Sequence, residues 1–185
     1  MNIFYVDQCP VKSAKSLVDK HVVKMILETA QLLSTAHRII DGELYQGLSN
    51  SGRKAKRWRL KDTREDILYS ATHINHPSAV WVRQSVENYN WLVDHLFALS
   101  DEYTYRYDKQ HVTIAKMGYE IQSPPHGLKE WDMTPMPSCM DKQYIISDDP
   151  IVNYRNYYIH GKKHIHAWKR REAPDWITSE ELELA

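Results

Sequence analysis

The sequence predicts an all-α fold, a single-domain helical bundle around a long, mostly buried first helix, with a long proline-rich loop. Residues 11–40 contain no Gly or Pro, and their apolar residues recur at steps of three and four. Two later stretches begin with a capping residue and an early proline, at Asn75 and Asp149. Residues 123–150 hold five of the eight prolines, which is typical of a long ordered loop.

The N-terminal part is predicted to contain a short extended piece, residues 2–6, and then the first helix. Asp7 and Pro10 are suited to cap and open that helix, which runs to about Ile40. Its apolar surface covers most of the circumference, as in a helix packed on several sides. The residues that widen the apolar stripe are Val23, Ile26, Leu27, Ala30 and Leu33. The polar residues of its middle share one face and are His21, Lys24, Glu28, Gln31 and Thr35.

The middle of the chain is predicted to be a loop followed by two helices. Residues 41–52 contain turn-forming glycines and lead into a basic segment. Thr63, with Asp66 three positions later, resembles a capping box for a helix to about His73.

Asn75 and Pro77 then predict the cap and first turn of a helix that continues to about Arg106. A weaker helical patch follows at residues 112–121, and the last helix begins after Pro150.

Several function classes are excluded by composition. No apolar run approaches the roughly 18 to 20 residues of a membrane span, and the N-terminus lacks the order of a signal peptide. We therefore expect a cytoplasmic protein without a membrane partner. Cys9 and Cys139 form no CxxC motif, so we expect both to be reduced.

The charges balance, with 24 basic and 24 acidic residues, but their distribution is uneven. A helical domain of residues 1–171 is expected to precede an acidic tail, residues 172–185, which holds Glu172, Asp175, Glu180, Glu181 and Glu183. The first basic segment comprises Arg53, Lys54, Lys56, Arg57, Arg59, Lys61 and Arg64. The second basic segment comprises Lys162, Lys163, Lys169, Arg170 and Arg171. Each segment contains a tryptophan, Trp58 or Trp168, so each is either a phosphate-binding surface with a stacking ring or a solvated face.

Glu28 is the main catalytic candidate, because a carboxylate on a mostly apolar helix is desolvated and better able to exchange a proton. The alternative is a solvent-facing Glu28 that pairs with Lys24 one turn earlier. Lys24 itself suits either a charge partner or an amine nucleophile. His21 suits either the orientation of a phosphate or leaving group, or a structural role.

Metal and nucleotide chemistry have weak support. His73 and His76 form an HxxH pair, but zinc sites need further converging ligands, so we expect no metal and no cofactor. No GxGxxG, GxxxxGK[ST] or GxSxG motif occurs.

Two motifs resemble a known enzyme family. Asp19-Lys20-His21 followed by Glu28 resembles the first helix of the pyrimidine-dimer DNA glycosylases of the endonuclease V type. Asn75-His76-Pro77 and Tyr105-Arg106-Tyr107, on either side of an aromatic-rich stretch, are similar to motifs of bacterial relatives. The whole chain also resembles a group of uncharacterised bacteriophage-encoded proteins, which would place it in a host cytoplasm.

The resemblance implies an enzyme that flips a nucleotide, attacks the deoxyribose C1′ with an amine and uses a glutamate to assist base release. Glu28 would then be the catalytic carboxylate and His21 a neighbour of the backbone phosphate. Leu27 and Gln31 replace the arginines that flank the family's glutamate. Residue 2 is Asn2, whereas the family exposes its α-amine by removing Met before a small residue. The nucleophile is therefore left open among Met1 or Asn2, Lys24 or Lys20, and an activated water.

The leading functional hypothesis is a DNA glycosylase, with or without abasic-site lyase activity, acting on damaged or modified pyrimidines in double-stranded DNA. The expected substrate-binding residues are Gln31, Arg53, Lys54, Lys56, Arg57, Trp58, Arg59, His76, Lys162, Lys163, Trp168 and Lys169. The alternatives are a non-catalytic nucleic-acid-binding protein and a nucleotide- or small-molecule-binding protein with an aromatic pocket. The oligomeric state is left open.

Overall fold

The structure, a computed structural model, describes residues 1–49 and 51–177, and 51% of it is helical. The helices are α1 (Pro10–Ser16), α2 (Asp19–Asp41), α3 (Arg64–Ile67), α4 (Pro77–Val82), α5 (Val86–Tyr107), α6 (Val112–Met117) and α7 (Pro150–Asn156). The strands are β1 (Glu43–Leu48) and β2 (Lys54–Arg59). The C-terminal third also contains short 3₁₀ helices at Lys142–Tyr144 and Lys163–Ile165 and a π-helical turn at Tyr157–Gly161. None of the helices described is long and apolar enough to cross a bilayer.

Helix α2 lies at the centre of the packing, against α5, α4 and α6. Thirteen of its 23 residues are buried, including Met25, Ile26 and Leu32. Val23 and Leu27 are 40% and 39% exposed, so the expectation that the apolar circumference is buried is wrong at these two positions. The exposed strip that they form lies beside Lys24 and Glu28.

The long first helix predicted from residue 11 to residue 40 is two helices. The backbone is extended at Leu17 and at Val18, although both side chains are fully buried. The buried guanidinium of Arg106 donates to the carbonyl oxygen of Leu17 at 2.9 Å and to that of Lys15 at 3.0 Å. Because a distant side chain satisfies these carbonyls, the helix can end here, and local periodicity does not reveal the break.

The prediction of a loop at residues 41–52 is also wrong. β1 and β2 form an antiparallel hairpin in which Glu43 pairs with Arg59 and Leu48 pairs with Lys54. The turn contains Gly52 at φ 76°, a left-handed conformation that glycine adopts without strain. The described residues are therefore mostly helical, broadly as predicted, but they also form a two-stranded antiparallel sheet that the prediction lacks.

Two predicted helices differ in the structure, although α3 begins after Thr63 as expected. The Thr63 side chain makes no capping hydrogen bond, and α3 ends at Ile67 instead of near residue 73. His76, rather than Asn75, caps α4, with its Nδ1 accepting from the Ser78 amide at 3.2 Å.

The predicted helix from Pro77 to about residue 106 is interrupted. Ser85 caps a new helix, α5, by accepting from the Asn88 amide at 3.1 Å, and both residues are buried.

The C-terminal third matches its prediction more closely. Residues 123–149 are irregular apart from one short turn, and the Asp149 carboxylate caps α7 by accepting from the Ile151 amide at 2.8 Å. Trp176 packs against Tyr158, with 6.0 Å between the ring centroids. The start of the predicted acidic tail therefore contacts the body of the protein, whereas Glu180, Glu181 and Glu183 lie outside the described residues.

Candidate active site

Glu28 lies in the middle of α2, and its side chain is 15% exposed. Its Oε1 is 3.1 Å from the Lys24 ammonium, whose side chain is 67% exposed. Its Oε2 accepts a hydrogen bond from the Asn2 amide at 3.2 Å and is 3.9 Å from the Met1 amine. Glu28 thus both pairs with Lys24, as the solvent-facing alternative expected, and is sheltered by the N-terminal segment.

The side chain of Asn2 holds the N-terminal segment in place. Its Oδ1 accepts from the Ile3 amide at 2.8 Å and from the Phe4 amide at 3.2 Å. Its Nδ2 donates to the carbonyl oxygen of Cys139 at 2.7 Å. Phe4 has φ 58°, a left-handed conformation that an aromatic residue adopts only when its surroundings require it. The main-chain nitrogens of residues 1 and 2 are therefore fixed beside Glu28.

His21 lies about two turns before Glu28 on α2, and its side chain is buried. Its ring stacks on Phe4 with 4.1 Å between centroids, and its Nδ1 hydrogen-bonds the Tyr158 hydroxyl at 2.5 Å. Burial, with smaller contributions from Lys162 and Lys24, lowers the pKa of His21 from 6.5 to about 3. His21 is therefore neutral near pH 7 and supplies no positive charge to a phosphate.

The cations near His21 are lysines. The Lys162 ammonium lies 4.8 Å from the centroid of the Tyr157 ring. Both Lys162 and Lys24 are close enough to lower the pKa of His21. An anion placed beside His21 would therefore gain attraction from two ammonium groups.

His76 faces the same site from the start of α4. Burial lowers the pKa of His76, the N-terminal amine and His73 lower it further, and Glu28 acts in the opposite direction. The structure thus brings together five of the predicted site residues, namely His21, Lys24, Glu28, His76 and Lys162. Gln31 lies about one turn beyond Glu28 on α2 and is half-buried.

The two basic segments lie at opposite ends of α2. The first is on the hairpin that follows Asp41. The second contacts the start of α2, where the amide of Asp19 donates to the carbonyl oxygen of Ala167 at 2.9 Å and the amide of Lys169 donates to the Asp19 carboxylate at 2.9 Å. With a rise of 1.5 Å per residue these ends are about 33 Å apart, and Glu28 lies between them.

Both tryptophans of the basic segments have structural contacts. The Trp168 indole donates to the carbonyl oxygen of Ser16 at 3.0 Å. The carbonyl oxygen of Trp58 accepts from Arg38 at 3.0 Å, and both rings are half-buried.

The second basic segment is partly neutralised. Arg170 pairs with Asp108 at 2.5 Å, and Arg171 pairs with the buried Glu102 at 2.7 Å. The Lys169 ammonium lies over the Tyr107 ring at 5.1 Å, and Lys163 is exposed.

Sequence reasoning missed three contributors to the site: the side chain of Asn2, the carbonyl of Cys139 and the hydroxyl of Tyr158. The sequence indicates Asn2 as an obstacle to Met removal and as a source of the amine, but it indicates no role for the Asn2 side chain. Cys139 and Tyr158 each lie 137 positions from the residue that they bond, and no local pattern indicates such a contact.

A cavity of about 440 Å³ lies elsewhere, between α1 and α5. Its lining includes three carboxylates, Asp94, Asp101 and Glu102, but only two cations, Lys15 and Arg171. This excess of negative charge does not suit a nucleotide phosphate. Among the residues described, no group of three or more His, Cys, Asp or Glu is placed to hold a metal ion.

A family model described as pyrimidine dimer DNA glycosylase matches residues 1–115. This match covers more than half of the 185 residues, and the chain belongs to that family. No curated protein and no solved structure matches the chain. The matched part contains Met1, Asn2, His21 and Glu28, whereas Cys139 and the C-terminal aromatic residues lie beyond it.

Proposed function

We propose that this member of the family is a DNA base-excision enzyme that removes damaged or modified pyrimidines from double-stranded DNA, with Glu28 as its catalytic carboxylate. The observation that carries the proposal is the approach of two main-chain nitrogens, of Met1 and Asn2, to within 4 Å of the sheltered Oε2 of Glu28. An amine beside a carboxylate is a suitable pair for nucleophilic attack with proton transfer. The target nucleotide would be flipped, since its sugar is otherwise shielded in the duplex.

The proposed reaction begins at C1′ of the flipped nucleotide. The amine nitrogen forms a bond to C1′ while the bond from C1′ to the base breaks, and the electron pair leaves with the base. Glu28 takes the proton that the nitrogen loses and returns a proton to a leaving group. Opening of the sugar ring then gives an imine, from which loss of the 2′ proton and the 3′ phosphate cleaves the strand.

The favoured nucleophile is the α-amine of residue 1, or that of residue 2 once Met1 is removed. The Lys24 ammonium is nearer to Glu28, at 3.1 Å against 3.9 Å for the Met1 amine, but its side chain is 67% exposed whereas that of Met1 is 3% exposed, so the N-terminal segment is held more firmly. Lys24 is then a partner that, with Lys162, attracts the phosphate beside the flipped nucleotide.

Borohydride trapping tests the proposal. Incubation with an abasic duplex and borohydride should link protein to DNA covalently, and mass spectrometry of the adduct should place the bond on the N-terminal residue. A variant with a short Gly-Ser extension before Met1 should lose the adduct, because its amine lies farther from Glu28. Lys24→Gln is the matched control and should retain the adduct.

A second assay identifies the substrate. Duplexes with ultraviolet, oxidised or hypermodified pyrimidines are scored separately for released base and for nicked strand. Base release without an imine adduct would replace the amine with a water activated by Glu28. No base release from any duplex of the panel would contradict the proposed function.

A further inference from the structure

The hairpin of β1 and β2 has two exposed faces. Five of the six residues of β1 are exposed, including Leu44 at 54% and Leu48 at 65%, and β2 has only exposed or half-buried residues. A two-stranded hairpin without a covering layer is at best marginally stable by itself. The exposed hairpin is therefore suited to pack against the surface of a binding partner.

The charge of the hairpin indicates an anionic surface. Residues 43–61 contain six basic residues and one acidic residue, Glu43, which pairs with Lys61 at 3.3 Å. Lys54 and Lys56 are exposed and alternate along β2, so both lie on one face. Across residues 1–49 and 51–177, neither lysine has a carboxylate within ion-pair distance.

The root of the hairpin is rigidly attached to α2. The buried guanidinium of Arg38 donates to the carbonyl oxygens of Trp58, Tyr69 and Leu68 at 2.6 to 3.0 Å and to the Glu65 carboxylate at 2.6 Å. The bond to Trp58 holds β2 at the end of the helix that carries Glu28, and the other bonds hold the segment that follows the hairpin.

This attachment sets the distance between Glu28 and the root of the hairpin. Glu28 and Asp41 are 13 residues apart on α2, which corresponds to about 20 Å along the helix axis. At about 3.4 Å per base pair, 20 Å spans roughly six base pairs of duplex.

We infer that the hairpin is a second DNA contact, a β-ribbon that enters a groove of the duplex on one side of the reacting nucleotide, roughly six base pairs away. The major groove accommodates a two-stranded ribbon, and Lys54 and Lys56 would reach the phosphates at its edge. The position relative to the reacting nucleotide rests on the proposed function of Glu28. The contact itself rests only on the charge, exposure and attachment of the hairpin.

The test combines shortened duplexes with charge-removing variants. The probe is a duplex with a stable tetrahydrofuran abasic analogue and flanks of about fifteen base pairs, shortened to about four on one side or the other. Binding is measured for the wild-type protein, for the double variant Lys54→Gln/Lys56→Gln and for the control Lys12→Gln/Lys109→Gln. Both control lysines are exposed; Lys12 lies in α1 and Lys109 follows α5.

Shortening the flank that the hairpin contacts should weaken DNA binding by the wild type about tenfold. The same shortening should have little effect on DNA binding by the Lys54→Gln/Lys56→Gln variant. The control should respond to both flanks as the wild type does. On the full-length duplex, the hairpin variant should also reduce the slope of log affinity against log salt by about 2, one for each phosphate contact. Thermal unfolding of both variants verifies that they are folded.

The inference would be overturned if shortening either flank weakened binding by the same factor in the wild type and in the hairpin variant. This holds even if the enzyme releases bases. Coupling without any base release would support the duplex contact while the proposed function fails. A change in protein self-association caused by the hairpin variant, without coupling to either flank, would assign the hairpin to a second copy of the chain and overturn the DNA contact. No binding to any duplex would overturn both proposals.

Discussion

The N-terminal segment beside Glu28 and the hairpin at the far end of α2 differ in how they are held. Residues 1–4 lie against Glu28, Cys139 and His21 through short hydrogen bonds and a stacked ring. The hairpin exposes both faces and, among the residues that the structure describes, is held at its root by Arg38 and neighbouring groups. One region is ordered by the rest of the chain before any substrate arrives, and the other leaves most of its surface available.

This difference suits two tasks. The proposed bond formation at C1′ requires that the reacting atoms be held within a fraction of an ångström, so a preorganised segment would favour catalysis. Attraction of a polyanion requires charge and reach rather than fixed geometry. Perturbing the N-terminal segment should therefore change reaction rates, and perturbing the hairpin surface should change affinity.

The largest effect is expected for Glu28→Gln. The amide oxygen can still accept from Asn2, so folding is retained, but the proton acceptor is lost and base release should fall by about 100-fold or more. Single-turnover rates measure the change, with Glu87→Gln, an exposed glutamate of α5, as the control. If Glu28→Gln released the base at the wild-type rate, the proposed catalytic role of Glu28 would be contradicted.

The next largest effect is expected at the root of the hairpin, where Arg38 should contribute strongly to the stability of the fold. Arg38→Met removes the donor to four carbonyl oxygens and the ion pair with the Glu65 carboxylate, and it should lower the free energy of unfolding by about 3 kcal/mol. Urea denaturation measures the loss. Lys61→Met, at the exposed pair with Glu43, should change the free energy of unfolding by less than about 0.5 kcal/mol. Equal effects of the two substitutions would show that Arg38 does not anchor the hairpin.

Asn2→Leu separates positioning from binding. Leucine has a similar size and is also bulky beside Met1, but it removes the three hydrogen bonds of the Asn2 side chain. Base release should slow about tenfold or more while affinity for the abasic-analogue duplex stays unchanged. Asn90→Leu on α5 is the control, and mass spectrometry verifies the same N-terminal residue in each protein. A loss confined to affinity would contradict the positioning role.

Acidification should destabilise the region around His21. The pKa of His21 is about 3 in the folded protein, below its ordinary 6.5, so the unfolded chain binds the proton first as the pH falls. Stability should therefore decrease from pH 6.5 towards pH 3, by at most about 1.4 kcal/mol per pH unit for this group. Urea denaturation at several pH values should give a flatter dependence for His21→Asn than for His164→Asn, which alters an exposed histidine. An unchanged slope in His21→Asn would refute the assignment.

Much of the helical framework follows from local sequence. The apolar steps of α2 and α5 and the prolines at the starts of α1, α4 and α7 define helices at or near their observed places. The shared helical face of His21, Lys24 and Glu28 follows from the same periodicity. These features depend on interactions within one or two turns of chain, which is why a sequence pattern predicts them.

The sequence by itself determined a mostly helical protein with Glu28 on the polar line of a central helix, together with the motifs of the glycosylase family. Only the tertiary structure decided the break at Leu17, which depends on Arg106, and the approach of residues 1 and 2 to Glu28, which depends on the carbonyl of Cys139. It also decided that Glu43–Leu48 and Lys54–Arg59 pair as a hairpin, where the sequence predicts a loop. The contacts of Arg106 with Leu17 and of Asn2 with Cys139 join groups 89 and 137 residues apart, and their free energy exists only when the folded chain brings those groups together.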